Sequence, residues 1–149
     1  MNVIIRMATS SDIPALLPLL SQLGYPTTQE KFEKHFGDFT NIDGYGIGVA
    51  CHDNHVIGFI AWSKVSFIVF DRPRIHIEGL VVDQNYRGKA IGKQLMCFAE
   101  EAAENLGAKY VALTSSKRRA IDGTNEFYKN LGYHNEGDVA ILYLWKEID

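Results

Sequence analysis

Cysteine is scarce in this chain: only Cys51 and Cys97, far apart and without a C-x-x-C spacing. That excludes a disulfide framework and a paired-thiol motif, and leaves two reduced thiols expected in apolar surroundings. Proline is sparse too, four in 149 residues, and no Pro/Gly/Ser-rich stretch, repeat or low-complexity block marks a linker. One continuous domain over residues 1–149 is expected. Nor is positive charge in excess. Fifteen Lys and Arg against eighteen Asp and Glu leave a net −3, so no overall field gathers nucleic acid or an anionic membrane. Any anionic ligand must be held locally. No run approaches the roughly 18 apolar residues of a membrane span, and the start MNVIIRMATSSD lacks a basic leader followed by an apolar run. A cytoplasmic protein is expected.

With 46% hydrophobic and 22% charged residues the chain can bury one core of useful size. Val3 to Met7 reads as a short strand. Thr9 stands three residues before Asp12 as in a capping box, and Ile13, Leu16, Leu17, Leu20 and Leu23 follow at helical spacing up to Gly24, with Pro18 inside as a kink. Thr27 and Glu30 repeat the capping pattern before a helix through Phe32, Phe36 and Phe39. Ile47 to His52 and Val56 to Phe67 read as strands joined at Asp53 and Asn54. Arg74 to Asp83 is a further strand in which Gly79 shifts the alternation and suggests a bulge.

Ala90 to Leu106 is the strongest helix, with a buried stripe of Ile91, Leu95, Phe98, Ala99, Ala102 and Leu106 and a stop at Gly107. Tyr110 to Thr114 is the next strand, and strand–helix–strand connection makes it parallel to Arg74–Asp83. A short helix Asn125 to Leu131 and a last strand Val139 to Ile148 complete a mixed α+β sheet flanked by helices.

The junction NYRGKAIGK, residues 85–93, turns from a strand end directly into the strongest helix. The first turn of a helix offers unpaired N–H groups and the positive end of the macrodipole. Acidic residues would suit that end, yet Arg87, Lys89 and Lys93 stand there. Positive charge added to a positive end makes sense when a polyanion completes it, and Gly88 and Gly92 let such a ligand approach the backbone. The plain alternative is a glycine-bearing loop with solvated lysines. A P-loop is excluded, because Gly88 and Gly92 are too close together and Lys93 is followed by Gln94. The G-x-G-x-x-G of a dinucleotide fold is absent, and Gly44-Tyr45-Gly46-Ile47-Gly48 precedes a strand rather than a helix.

VVDQNYRGKAIGKQL resembles the acetyl-coenzyme A signature of the GNAT superfamily of N-acetyltransferases, [RQ]-x-x-G-x-[GA], and FYKNLGY resembles its second familiar segment. The resemblance extends to the order of elements over nearly the whole chain. It implies a single-domain α+β fold with a mixed, mostly antiparallel sheet of six to seven strands, a central parallel pair and flanking helices. It also implies acetyl-CoA as cosubstrate, with no metal. The pyrophosphate would fall on Arg87, Gly88, Lys89, Ala90, Ile91 and Gly92, with Lys93 nearby, and the pantetheine arm along the backbone of Leu80, Val81 and Val82. Ala90 stands where the family usually has glycine; its methyl group fits if the residue is helical and its Cβ points away from the ligand.

Acetyl transfer to an amine needs a neutral nucleophile, a donor for the developing oxyanion and a proton for the departing thiolate. By the resemblance, Glu78, nine residues before Arg87, is the candidate base; an exposed strand carboxylate and a substrate-binding anion are equal alternatives. Tyr128 is the candidate acid, against a plain core tyrosine beside Phe127. The N–H of Val82 is the oxyanion donor, and Asn125 a cofactor contact, although the familiar asparagine position holds Ile121. Arg118 and Arg119 suit either the coenzyme's 3′-phosphate or an acidic acceptor.

The expected activity is transfer of an acetyl group from acetyl-CoA to a primary amine, by direct attack in a ternary complex. The alternatives are a non-catalytic acyl-CoA sensor and a protein-interaction module whose basic turn meets an acidic partner. The acceptor is a small-molecule or peptide amine, chosen by helix 28–39, segment 66–74 and loop 115–123. Neither nucleic acid nor membrane is an expected partner, and the aromatic tail Tyr143 and Trp145 permits a homodimer. His52 and His55 flank a turn, whereas His76 lies two residues before Glu78; no carboxylate and histidine spacing matches a metal site.

Overall fold

The computed structural model describes residues 1–115, 124–137 and 143–148, and the chain divides into two compact units, Met1–Ala112 and Leu113–Asp149. The first holds β1 (Ile4–Met7), α1 (Ile13–Leu23), α2 (Gln29–Thr40), β2 (Gly46–His52), β3 (His55–Val65), β4 (Arg74–Val82) and α3 (Ile91–Asn105), and it leads into β5 (Tyr110–Leu113). These strands form a sheet in sequence order. β1, β2, β3 and β4 pair antiparallel, and α3 carries the chain across to β5, the connection that makes β4 and β5 parallel. The mixed α+β architecture is as expected, but the described residues contain five strands, not six or seven. The difference lies at the expected last strand: residues 139–142 fall outside the described residues, and 143–148 have no regular secondary structure.

Each terminus follows from local chemistry. Asp12 accepts the Thr9 N–H at 2.8 Å, which closes the reciprocal contact foreseen at the head of α1. The cap of α2 is Thr28, one residue later than expected, its hydroxyl accepting the Lys31 N–H. α1 is helical through Pro18 and stops at Gly24, left-handed with φ 106°. Asp53 and Asn54, with φ 49° and 63°, make the positive-φ pair of a tight hairpin turn.

The strands' alternation sorts side chains onto two faces. Val49, Phe59 and Val81 bury against Ile13, Leu16 and Leu19 of α1 and Phe36 of α2. On the other face Trp62 lies against Phe98 of α3, ring centroids 6.1 Å apart, and a Cβ on Gly48 would collide with that Phe98 ring. The buried residues of α3 are Ile91, Leu95, Met96, Ala99 and Ala103, so its stripe is rotated toward Met96 and Ala103 rather than Ala102 and Leu106. Both cysteines are free, and Cys51 is half-buried against the core as expected, but Cys97 is exposed, which corrects the expectation of apolar surroundings for that thiol. The rotated stripe turns Cys97 outward.

The bulge suggested by Gly79 is present. Ala61 stands opposite Gly79 but Trp62 opposite Ile77, so Glu78 is the extra residue of β4. The shift flips every side chain before it. Ile75 and Ile77, at the same parity as Val81, instead share the face of Lys64 and Trp62, while Arg74 and His76 share that of Val65 and Ser63.

The second unit contributes α4 (Thr124–Asn130) to the described residues. Leu131, Gly132 and Tyr133 close it, with the Leu131 and Tyr133 N–H groups donating to Tyr128 O at 3.1 and 3.0 Å. Among the described residues, no helix is long and apolar enough to cross a membrane.

Candidate active site

At the end of β4 the chain is fastened residue by residue. The Asp83 N–H donates to Ile57 O at 2.7 Å, and its carboxylate accepts the Asn85 N–H at 2.9 Å. Gln22, reaching from α1, accepts the Gln84 N–H at 2.9 Å, and Arg87 Nε donates to Val82 O at 3.2 Å. The fastening then stops. Among the described residues, the N–H groups of Gly88, Lys89, Ala90, Ile91, Gly92 and Lys93 meet no protein acceptor; the first bond of α3 runs from the Gln94 N–H to Ala90 O at 3.2 Å. Gly88 (φ 77°) and Ala90 (φ 63°) are both left-handed, the alternation that gathers successive N–H groups into an anion-binding concavity. Arg87, Lys89 and Lys93 are exposed around it, and no acidic residue lies in the first turn of α3. A diphosphate fits this donor set: six N–H groups, a helix dipole and three cations in a chain of net −3.

Ala90 departs from expectation. Its methyl group was to be accommodated by helical backbone, but the residue is the left-handed N-cap of α3. An L-residue other than glycine is disfavoured there by roughly 1–2 kcal/mol, the physical reason for a glycine at that point of the turn.

The edge of β4 bears on the same turn. Because the Asp83 N–H points to β3, the N–H and carbonyl of Val82 project from the opposite edge, the side of β5. Lys109 N–H bonds Pro73 O at 3.1 Å, at the start of β4, and β5 has four residues against nine for β4. β4 therefore runs on past the end of β5, carrying Leu80, Val81 and Val82 to the turn.

Glu78, as the bulge residue, has no rung opposite it on β3, and its Oε2 lies 3.8 Å from Nε2 of His76. Its side chain is 43% exposed and that of His76 23%, so the carboxylate is open to solvent and the imidazole partly covered. The first unit thus brings together Glu78, Leu80, Val81, Val82 and the turn from Arg87 to Lys93 along one strand and its continuation. Asn125 and Tyr128 belong to the second unit, on α4. Tyr128 is half-buried, edge-on to Phe127 at 5.1 Å and to Tyr133 at 6.1 Å. Arg118, Arg119 and Ile121, and most of loop 115–123, lie outside the described residues.

The turn histidines are as expected. His52 Nδ1 donates to Asn2 O at 3.0 Å and His55 Nδ1 to Asp53 O at 2.9 Å. Among the described residues, no group of three or more His, Cys, Asp or Glu could hold a metal. Sequence reasoning missed Gln22, whose role no local pattern announces, and Arg74, whose parity with His76 was visible but whose surroundings were not.

The sequence profile of the acetyltransferase (GNAT) family matches residues 13–133. Solved structures agree in fold. An acetyltransferase of Trypanosoma brucei is 27% identical, with a TM-score of 0.75 over 96% of this chain and 100% of that one. The glucosamine-6-phosphate N-acetyltransferase of Arabidopsis thaliana is 24% identical, with a TM-score of 0.79 over 100% of each chain. The aminoglycoside N-acetyltransferase AAC(6')-Iy, crystallised with CoA, is 20% identical, with a TM-score of 0.80 over 97% of this chain and 95% of that one.

Proposed function

The chain belongs to the acetyltransferase (GNAT) family, and we propose that it moves the acetyl group of acetyl-CoA to a primary amine by direct attack within a ternary complex. The observation that carries this reading is the row of six N–H groups from Gly88 to Lys93 without protein acceptors, ringed by Arg87, Lys89 and Lys93. Acetyl-CoA supplies an activated acyl thioester and a diphosphate by which it is held. In this reading the turn from Arg87 to Gly92, with Lys93, binds that diphosphate, and the backbone of Leu80, Val81 and Val82 aligns the pantetheine arm as an added strand does. The Val82 N–H faces the edge on which the thioester carbonyl would lie, and donates to its oxygen as charge develops.

Glu78 accepts the proton of the attacking amine, directly or through water; its freedom from the ladder and its exposure suit that role. Tyr128 gives the proton of its phenol O–H to the departing thiolate. Asn125 is assigned to the cofactor. The acceptor is a small-molecule or peptide amine. Among the solved relatives, one is named for glucosamine 6-phosphate and another for aminoglycosides, which supports a small polar amine. The single acetyltransferase domain spans the chain, and the tail with Tyr143 and Trp145 permits a homodimer.

Release of free thiol from acetyl-CoA across an amine panel tests the reading. Amine-dependent, saturable release is expected. Saturable CoA binding with no release on any amine would favour the sensor, and absence of CoA binding the interaction module.

A further inference from the structure

The flip imposed by the β4 bulge places Arg74 and His76 on the face of Val65 and Ser63, and Glu78 reaches His76 there at 3.8 Å. Three side chains of alternating residues thus run along one face of β4, cationic at one end and anionic at the other. Arg74 is unusual among them. Its guanidinium lies over the Phe67 ring, 5.2 Å from the centroid, and its buried Nε has no hydrogen-bond partner. Among the described residues no carboxylate pairs with it, although Arg6, the other arginine on this sheet face, is fully engaged by Asp12 at 2.8 and 2.9 Å. A stacked guanidinium keeps its in-plane donors for a second partner. The buried Nε is out of a ligand's reach, so an anion would be taken by the terminal Nη donors of the same guanidinium, which has no carboxylate partner among the described residues.

Resting on the acetyl-transfer reading of the same site, we propose that the acceptor is an amine that also bears an anionic group, carboxylate or phosphate, with Arg74 taking the anion and Glu78 the amine. Because the bulge absorbs part of one step, the strand from Arg74 to Glu78 spans about 11–12 Å, and contacts near ~3 Å at each end leave roughly 5–6 Å for the ligand. That spacing selects an anion several bonds from the amine and excludes an α-amino acid, whose two charged groups are adjacent. Phe67, held edge-on by Phe70 at 5.5 Å, fixes the guanidinium from the β3–β4 loop, so the loop sets specificity through Arg74 and not by touching the amine.

Two matched pairs of amines test this: 5-aminopentanoate against 5-amino-1-pentanol, and 3-aminopropyl phosphate against 3-amino-1-propanol. In the thiol-release assay, at least one anionic member is expected to exceed its neutral partner in kcat/KM by about 10- to 100-fold, the value of a charge-assisted contact. The pair that shows it tells carboxylate from phosphate. Arg74→Ala brings the ratio to near one, and Arg74→Lys, which keeps the charge but loses the planar fork, leaves an intermediate ratio. A ratio near one in the wild type for both pairs, or a ratio untouched by Arg74→Ala, overturns the proposal. Should none of the four be acetylated, calorimetry on the CoA-loaded protein with the same compounds decides it. Arg74-dependent preference for an anionic member then sustains the anion site while acetyl transfer fails. Equal binding, or none, refutes the anion site.

Discussion

Arg87 Nε and Val82 O are joined at 3.2 Å, so the residue that opens the basic turn is tied to the residue that closes β4. The tie links the two halves of the candidate site: the edge of β4 that would align an extended ligand and the N–H groups that would take its diphosphate. The chain between them is short and is held from outside by Ile57 of β3 and Gln22 of α1, so the two halves keep one geometry.

Gly92 lies in the first turn of α3, and in the proposed reading a side chain there would intrude on the bound diphosphate. Gly92→Trp is expected to weaken CoA binding by more than about 100-fold, near the combined worth of two charge-assisted contacts. Titration calorimetry reads the affinity and circular dichroism the fold. Unchanged affinity would remove the turn from the site.

Ala90 gives a test of backbone strain. Ala90→Gly should be as stable as the wild type or up to about 1 kcal/mol more so, because relief of the left-handed penalty outweighs the greater freedom of glycine in the unfolded chain. Ala90→Val should be less stable by about 1–2 kcal/mol, since a branched side chain fits that region worst. Urea denaturation gives the order, and valine ranking above glycine would contradict the left-handed geometry.

Replacing Glu78 with Gln keeps the shape and removes the proton acceptor. Turnover should fall about 100-fold or more with CoA affinity unchanged. A variant that lost only amine KM would show that Glu78 anchors the substrate instead.

For Tyr128→Phe, lower kcat with little change in CoA affinity is expected if the phenol protonates the thiolate. Wild-type turnover would leave Tyr128 as a packing residue between Phe127 and Tyr133.

Asp12 connects stability to pH. The Arg6 guanidinium, with the Thr9 N–H, holds its carboxyl below the usual carboxylate value. Such a group stabilises the fold fully above its unfolded pKa of ~3.9, and that contribution is lost as pH falls through the lower folded value. Asp12→Asn should cost about 1–3 kcal/mol, Arg6 being partly exposed and screened. The gap between variant and wild type stays constant above about pH 5 and closes below it. A gap independent of pH down to acid unfolding would show that the ion pair is not its source.

Much was legible because it depends on neighbours in the chain. The cap of Asp12 on Thr9, the positive-φ turn at Asp53 and Asn54, the stop at Gly107 and the bulge at Gly79 are all events within a few residues. Where packing chooses among local options, expectation slipped. Met96 and Ala103 replace Ala102 and Leu106 in the buried stripe of α3, because the rotation of a helix is set by the sheet beneath it. Ala90 was expected helical, yet the turn around the N–H cluster forces it left-handed.

The amino-acid order alone determined the basic turn at the head of the long helix and the strand–helix–strand unit around it, since dipole, glycine spacing and periodicity act over single turns of chain. Only the tertiary structure decided which face of β4 carries Arg74, His76 and Glu78. One inserted residue inverts the parity of all that precedes it, and where that residue is absorbed depends on the partner strand, which a linear pattern does not contain.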